Sequence, residues 1–324
     1  MSFFSDVERE CVVESVRPGA AGVVIVDLVP VNGRDLPAWT PGSHIDLILR
    51  GDDGVLERQY SLCGDASDRS RFRVAVLREP DGRGGSSLVH DTLVAGDALR
   101  IRGPRNHFGF EPVGSAPVVF IAGGIGITPF ISMMAAATEA GIDFTLVYVG
   151  RSRQTMVFLD ELEALYPGRV VVHAADEGGR LDVAALVAAL PVDAAVYSCG
   201  PTRLLEALET AWEGRPVPQL HLERFEAKEF GEPAWQDTFE VELALSGVTV
   251  DVPLGRTILD VVEEQGVLVV SSCRKGTCGT CETPVLEGEI EHRDSVLTPD
   301  EQEAGDTMMI CVSRAACSRL VLDL

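Results

Sequence analysis

Four cysteines near the C-terminal end constrain this chain more than any other feature. Cys273, Cys278 and Cys281 stand in the segment SSCRKGTCGTCETP, and Cys311 follows in MMICVSR after 29 intervening residues. The pattern is C-x4-C-x2-C plus a distant fourth cysteine, the spacing of a plant-type [2Fe–2S] site, in which four thiolates hold two irons. The small residues between the ligands have a task. Gly276, Thr277, Gly279 and Thr280 let the backbone wrap closely and turn N–H groups towards the sulfurs. A structural zinc ion is the competing reading, because four cysteines also suit a tetrahedral metal. Zinc ribbons use two C-x2-C pairs, however, and here there is one. Cysteines crowded into the last quarter of the chain are unlike the spread framework of a secreted disulfide protein. Cys11, Cys63 and Cys317 fall outside the pattern and read as small core residues or bystanders.

A metal loop of this kind occupies well under a hundred residues, and the chain has 324. The length implies two or three domains, and the texture changes twice along it. Up to about residue 110, short alternating runs (CVVESV, GVVIVDLVP, HIDLILR, RQYSLCG, FRVAVLRE, DALRIRG) are punctuated by Gly, Pro and Asp. That pattern predicts an antiparallel β-barrel. From 111 to 225, apolar strands such as APVVFIAGG alternate with helical stretches such as MVFLDELEALYP, which predicts an α/β domain with a parallel sheet. Residues 226–237 are polar and without period, and read as a linker. Residues 238–324 predict a hairpin, a short helix, the cysteine loop and a last strand, a small α+β domain.

The chain carries 27 basic and 50 acidic residues, a net charge of −23. Nucleic-acid binding is disfavoured by that balance, since phosphate contacts need Lys and Arg. An acidic surface can steer a basic protein partner, or can serve solubility alone. The opening MSFFSDVERE lacks a basic region ahead of an apolar stretch, and no apolar run of about 18 residues follows. A cytoplasmic protein without a membrane span is expected.

Three further segments carry chemistry. FIAGGIGITPFISM places Gly123, Gly124 and Gly126 after a buried strand, with a helix expected from about Pro129. Such a turn can admit a pyrophosphate at the helix N-terminus, or can simply be a tight strand–helix connection. Cys199, Gly200 and Pro201 end another expected parallel strand, so both turns would face one cleft. In the barrel, Arg58, Gln59, Tyr60 and Ser61 lie on one strand, with Arg58 and Tyr60 on the same face. GRGGSS, with Arg83, Gly84, Gly85 and Ser86, can cradle a phosphate through backbone N–H groups, a guanidinium and a hydroxyl.

RQYS, GRGGS, GGIGITP, SCGP and the cysteine loop, in this order and over essentially the whole chain, resemble the phthalate dioxygenase reductase family, which includes vanillate O-demethylase reductases. The resemblance implies an FMN-binding barrel, an NAD-binding domain and a C-terminal β-grasp ferredoxin domain. It implies an enzyme that passes a hydride from NADH to FMN, then single electrons through the cluster to a partner Rieske oxygenase. By the same resemblance Arg58, Gln59, Tyr60 and Ser61 contact the flavin, Ala75, Val76 and Arg78 line its isoalloxazine edge, and Gly84, Gly85 and Ser86 bind its phosphate. Thr128 would approach the flavin N5 and Phe225 would cover the ring, an ordinary core aromatic being the alternative for Phe225. Arg151 and Ser152 are candidates for the adenosine end, and the neighbouring Arg153 keeps NADPH in view beside NADH. Hydride transfer needs no acid or base, so His90, His107 and His173 receive no catalytic role. Glu287 and Glu291, soon after the cysteine loop, are candidates for the partner-docking face. A cytochrome P450 as recipient, or a flavin and iron–sulfur redox sensor without turnover, are the alternatives.

Overall fold

Alternation in the first hundred residues produces six antiparallel strands: β1 (Glu8–Ala20), β2 (Val23–Pro30), β3 (His44–Gly51), β4 (Gly54–Ser61), β5 (Phe72–Leu77) and, after helix α1 (Gly85–Thr92), β6 (Ala98–Arg105). The computed structural model describes residues 7–51, 54–110, 116–215 and 219–324. The strands run in the order β4-β3-β6-β1-β2-β5, and a bridge between Leu62 and Val74 joins the two outer strands into a barrel. Every second side chain points inwards, so Ile45, Leu47 and Leu49 of β3 meet Val26, Val74 and Ile101 in one apolar core. Helix α1 begins within the GRGGSS segment and buries its Val89 in that core.

The next expected domain start, residue 111, lies outside the described residues. β7 (Val118–Gly123), α2 (Thr128–Glu139), β8 (Phe144–Gly150), α3 (Leu159–Leu165), β9 (Val170–Ala174), α4 (Ala175–Gly178), α5 (Val183–Ala189), β10 (Ala195–Cys199), α6 (Thr202–Trp212) and β11 (Leu220–Glu223) follow. The five strands are parallel and ordered β11-β10-β7-β8-β9. The chain moves outwards from β7 to β9 and then returns to β7's other side with β10. That reversal opens a crevice at the carboxyl ends of β7 and β10, where open α/β sheets bind ligands. The helix expected from Met156 begins only at Leu159, because Phe158 takes a left-handed φ of 64°. β11 is an addition to the expected strands: at four half-buried residues it is too short to show a period.

The chain divides into two compact units, Met1–Glu223 and Arg224–Leu324. In the second, β12 (Phe239–Leu243) and β13 (Val248–Val252) form the expected hairpin, and α7 (Ile258–Glu264) crosses it with Ile258, Leu259 and Val262 buried. β14 (Glu282–Glu287), β15 (Ile290–Glu291), α8 (Pro299–Ala304), β16 (Thr307–Met309), β17 (Arg314–Ala315) and β18 (Arg319–Leu322) complete it. The final strand pairs parallel with β12, giving the order β13-β12-β18-β14-β16 of a β-grasp sheet. Among the described residues no helix is long and apolar enough to cross a membrane.

Candidate functional site

The cysteine loop runs between α7 and β14, and Cys311 meets it from the turn after β16. All four thiols are buried, each at 4% exposure or less. They converge closely enough to shift one another's protonation, Cys273 with Cys278 and Cys311, and Cys311 with Cys281. The backbone N–H groups of Lys275 and Thr277 donate to Cys273 Sγ at 3.3 and 3.5 Å, and Thr280 Oγ1 lies 3.1 Å from Cys278 Sγ. The Cys278 and Cys311 thiols first, then those amides, hold the Cys273 thiol far below its usual range. Converging buried thiols with amides aimed at sulfur fit a [2Fe–2S] centre. The loop keeps its shape through Gly276, at φ 68°, where a Cβ would stand 2.5 Å from Val312 Cγ2 and 3.0 Å from Asp294 Cα. Arg274 takes φ 54° without being glycine. Its guanidinium pairs with Asp260 at 2.9 Å and Glu263 at 2.7 Å, both on α7, which offsets the strain. No motif marked Arg274 for that role.

In the barrel, Arg58 and Tyr60 share a face of β4. Gln59 turns the other way, donating to Asp46 Oδ1 at 2.8 Å. It joins a buried polar ladder in which Arg105 pairs with Asp46, and Arg102 with Glu57 and Glu8. The Gln59 side chain is therefore not part of the Arg58 face. Arg58 donates to the carbonyls of Glu57 and Arg83, which brings it beside the start of α1. There Gly84 adopts φ 79° at the N-cap and offers no side-chain cap to the first N–H groups. A Cβ on Gly85 would lie 2.5 Å from Arg58 Cγ, so glycine makes the room this guanidinium occupies. Ser86 Oγ accepts from the Glu79 amide at 3.0 Å and keeps its own proton to donate. Ser61 Oγ is buried without a hydrogen-bond partner. Burial pushes the Tyr60 phenol up to about 12. An orphaned hydroxyl beyond Tyr60 and an uncapped helix start beside Arg58 fit a polar ring carrying a phosphate.

Ala75 and Val76 are buried on opposite faces of β5, Val76 inside the barrel and Ala75 in the core shared with Phe120 and Tyr148. Arg78 is engaged by a carboxylate. Its guanidinium forms a bidentate pair with Asp91 at 2.6 and 2.8 Å. His90 hydrogen-bonds the Val76 carbonyl at 2.9 Å and His173 the Gly179 carbonyl at 3.0 Å, both structural contacts.

At the crevice, the three glycines of the turn after β7 divide their work. A Cβ on Gly126 would sit 2.2 Å from the Cys199 carbonyl oxygen, and one on Gly123 2.6 Å from Pro201 Cδ. Gly200 returns the contact, 2.9 Å from Gly123 Cα. These positions are glycine because the two strand ends touch. Gly124, at φ 57°, has nothing within 4 Å of its Cβ direction and is the one open to a ligand. Thr128, expected to reach a flavin N5, is 2% exposed and donates its hydroxyl to the Ile125 carbonyl at 3.0 Å. Pro129 occupies the first turn of α2, where its missing N–H costs nothing. Ser152 caps a short 3₁₀ turn with Thr155, and the Arg151 carbonyl accepts from the Asp176 amide at 3.1 Å. Arg153 is held by Glu177 at 3.2 Å and Glu163 at 3.3 Å.

Glu223, at the end of β11, carries no motif that would single it out. Its Oε2 is shut off from solvent beside the Cys199 thiol, and burial raises the carboxyl to about 8. Burial likewise pushes the Cys199 thiol well up. Phe225, two residues on, is 41% exposed and is not a core aromatic.

Three family models match consecutive parts of the chain: the oxidoreductase FAD-binding domain over residues 35–110, the oxidoreductase NAD-binding domain over 120–210, and the 2Fe-2S iron-sulfur cluster binding domain over 241–316. The phenoxybenzoate dioxygenase subunit beta of Ectopseudomonas oleovorans is 45% identical over 96% of both chains. An intact type IV self-sufficient cytochrome P450 monooxygenase contains a 42% identical region with a TM-score of 0.92, which spans all of this chain but 42% of that protein. Phthalate dioxygenase reductase, described as a modular structure for electron transfer from pyridine nucleotides to [2Fe-2S], is 34% identical with a TM-score of 0.69 over 98% of both chains. With barrel, nucleotide crevice and cysteine loop in the same order as that reductase, and matching it end to end, this chain belongs to the phthalate dioxygenase reductase family of flavin and iron–sulfur oxidoreductases.

Proposed function

We propose that the chain is the NADH-dependent, FMN-carrying reductase component of a two-component Rieske-type oxygenase. The observation that carries this reading is the presence, in one chain, of a pyridine-nucleotide crevice, a phosphate cradle on a barrel and a buried four-thiol loop. When bound, the flavin accepts a hydride and releases electrons one at a time, and the [2Fe–2S] centre carries one at a time. The protein's residues supply position. Gly124 and the start of the helical stretch leading to α2 receive the pyrophosphate, and the Arg151–Ser152 segment lies along the adenosine end. NADH is favoured over NADPH because Arg153 is already engaged by Glu163 and Glu177, which leaves carboxylates where a 2′-phosphate would need cations. FMN is favoured because Arg58, Gly84, Gly85 and Ser86 form one compact cradle for a terminal phosphate. Tyr60 lies along the ring, and the buried Ser61 Oγ, which has no other partner, is available to it.

The test is reconstitution. Flavin released from the purified protein and identified by chromatography should be FMN. NADH should reduce the loaded protein faster than NADPH, and a Rieske oxygenase should then turn over. Absence of NADH-driven reduction of cytochrome c by the loaded protein would leave the sensor reading in place. The similarity to part of a self-sufficient P450 monooxygenase supports a second recipient. Turnover with a P450 but with no Rieske oxygenase would favour it.

A further inference from the structure

Tyr148, on β8, is wholly buried in the nucleotide-binding half, and burial pushes its phenol far up, so the hydroxyl keeps its proton. That one proton faces two carbonyl oxygens, Gly124 O at 3.2 Å and Val157 O at 3.1 Å. The two acceptors belong to different segments. Gly124 is the open glycine of the turn after β7. Val157 ends the loop that begins at Arg151, passes through the Ser152–Thr155 turn and stops at the left-handed Phe158.

The consequence for the turn follows from peptide geometry. In a planar trans peptide the carbonyl and the following N–H point in opposite directions. Drawing the Gly124 carbonyl inwards to Tyr148 therefore turns the Ile125 N–H outwards. This N–H lies in the first turn of a helical stretch, where backbone donors have no intrahelical acceptor. The loop side is fixed in turn: the Gln154 carbonyl accepts from the Ala21 amide of the β1–β2 hairpin at 2.8 Å, and Val157 packs where Gly19 lacks a Cβ.

We propose that Tyr148 is a positioning residue for the dinucleotide. Its hydroxyl ties the pyrophosphate turn to the adenosine loop, so both halves of the nucleotide meet one preformed site. This rests on the reading of the Gly124 turn as the pyrophosphate site.

The experiment uses Tyr148→Phe in the flavin- and iron-loaded protein. Calorimetry with NAD+ reads binding without turnover, and steady-state rates with NADH separate KM from kcat. Loss of one shared hydrogen bond should raise both the NAD+ Kd and the NADH KM about tenfold. Both kcat at saturating NADH and flavin content should stay unchanged. An unchanged Kd, or a fall in kcat at constant KM, overturns the proposal. Gly124→Ala distinguishes the two levels of the reading. If it too leaves the NAD+ Kd unchanged, the pyrophosphate reading fails and this proposal with it. If it weakens binding while Tyr148→Phe does not, the proposal alone fails. The unaltered protein gives a second measurement that needs no variant: NAD+ should slow amide hydrogen exchange in residues 123–127 and 152–158 together. Protection confined to the first segment would overturn the coupling.

Discussion

At Gly85 the volume that a methyl group would fill already holds the Arg58 side chain, which comes from a different element, strand β4. Gly85→Ala should displace the flexible guanidinium from the start of α1 without unfolding the barrel. The flavin-to-protein ratio after gel filtration should fall roughly tenfold, the effect of removing one charge-assisted hydrogen bond, with an unchanged melting profile. Arg58 and Tyr60 are legible in the sequence because strand alternation alone decides which side chains share a face. Arg78 and Gln59 are not, because their partners Asp91 and Asp46 are 13 residues distant and come into reach only through helix docking and strand pairing. Thr128 and Glu223 show the same limit from two sides. A hydroxyl at a helix start reads as facing outwards although it is buried, and nothing in the sequence marks the half-buried Glu223 as having a carboxyl oxygen shut off from solvent.

Between elements, the decisive contact is the one joining the ends of β7, β10 and β11. The strand–helix alternation that builds this sheet is readable from continuous apolar runs. The order of its strands is not, and the order is what brings Glu223 beside Cys199. This pair makes the molecule pH-sensitive in a defined direction. The folded carboxyl, raised to about 8, keeps a proton that the unfolded chain gives up near 4.5. The native state therefore binds more protons than the unfolded state between those values, and stability falls as pH rises through that window. The slope from this group should be at most about 1.4 kcal/mol per pH unit. Glu223→Gln should flatten that part of the curve and stand more stable than the parent at pH 9, measured by urea midpoints across pH. A variant with the parent's slope would show that Glu223 is ionised in the native protein.

For the molecule as a whole, charge is shared between the units: residues 224–324 contain 20 acidic and 8 basic side chains, −12 of the total −23. Of the two glutamates expected on a docking face, one is occupied. Glu291 accepts from the Ala234 amide at 2.9 Å and from Arg293 at 2.7 Å. Glu287 is exposed, its nearest cation Arg319 at 3.6 Å. Glu287→Lys should slow reduction of a basic partner several-fold at low salt, with the difference closing by about 0.5 M salt, where the screening length shortens to about 4 Å. Glu291→Lys should instead lower the melting temperature of the iron–sulfur unit, read by the loss of its visible absorption on heating. Unequal salt-dependent effects in the reverse order would place docking elsewhere.

The segment read as a linker also contributes to that unit. Arg293 donates to the Gly231 carbonyl at 2.7 Å and stacks on Phe230, while Trp235 packs against the core of the β-grasp sheet. Anyone wishing to excise the iron–sulfur module, or graft it behind another flavoprotein, must therefore cut upstream of Phe230. A junction at residue 238, just before β12, would sever a strap that the module wears as its own.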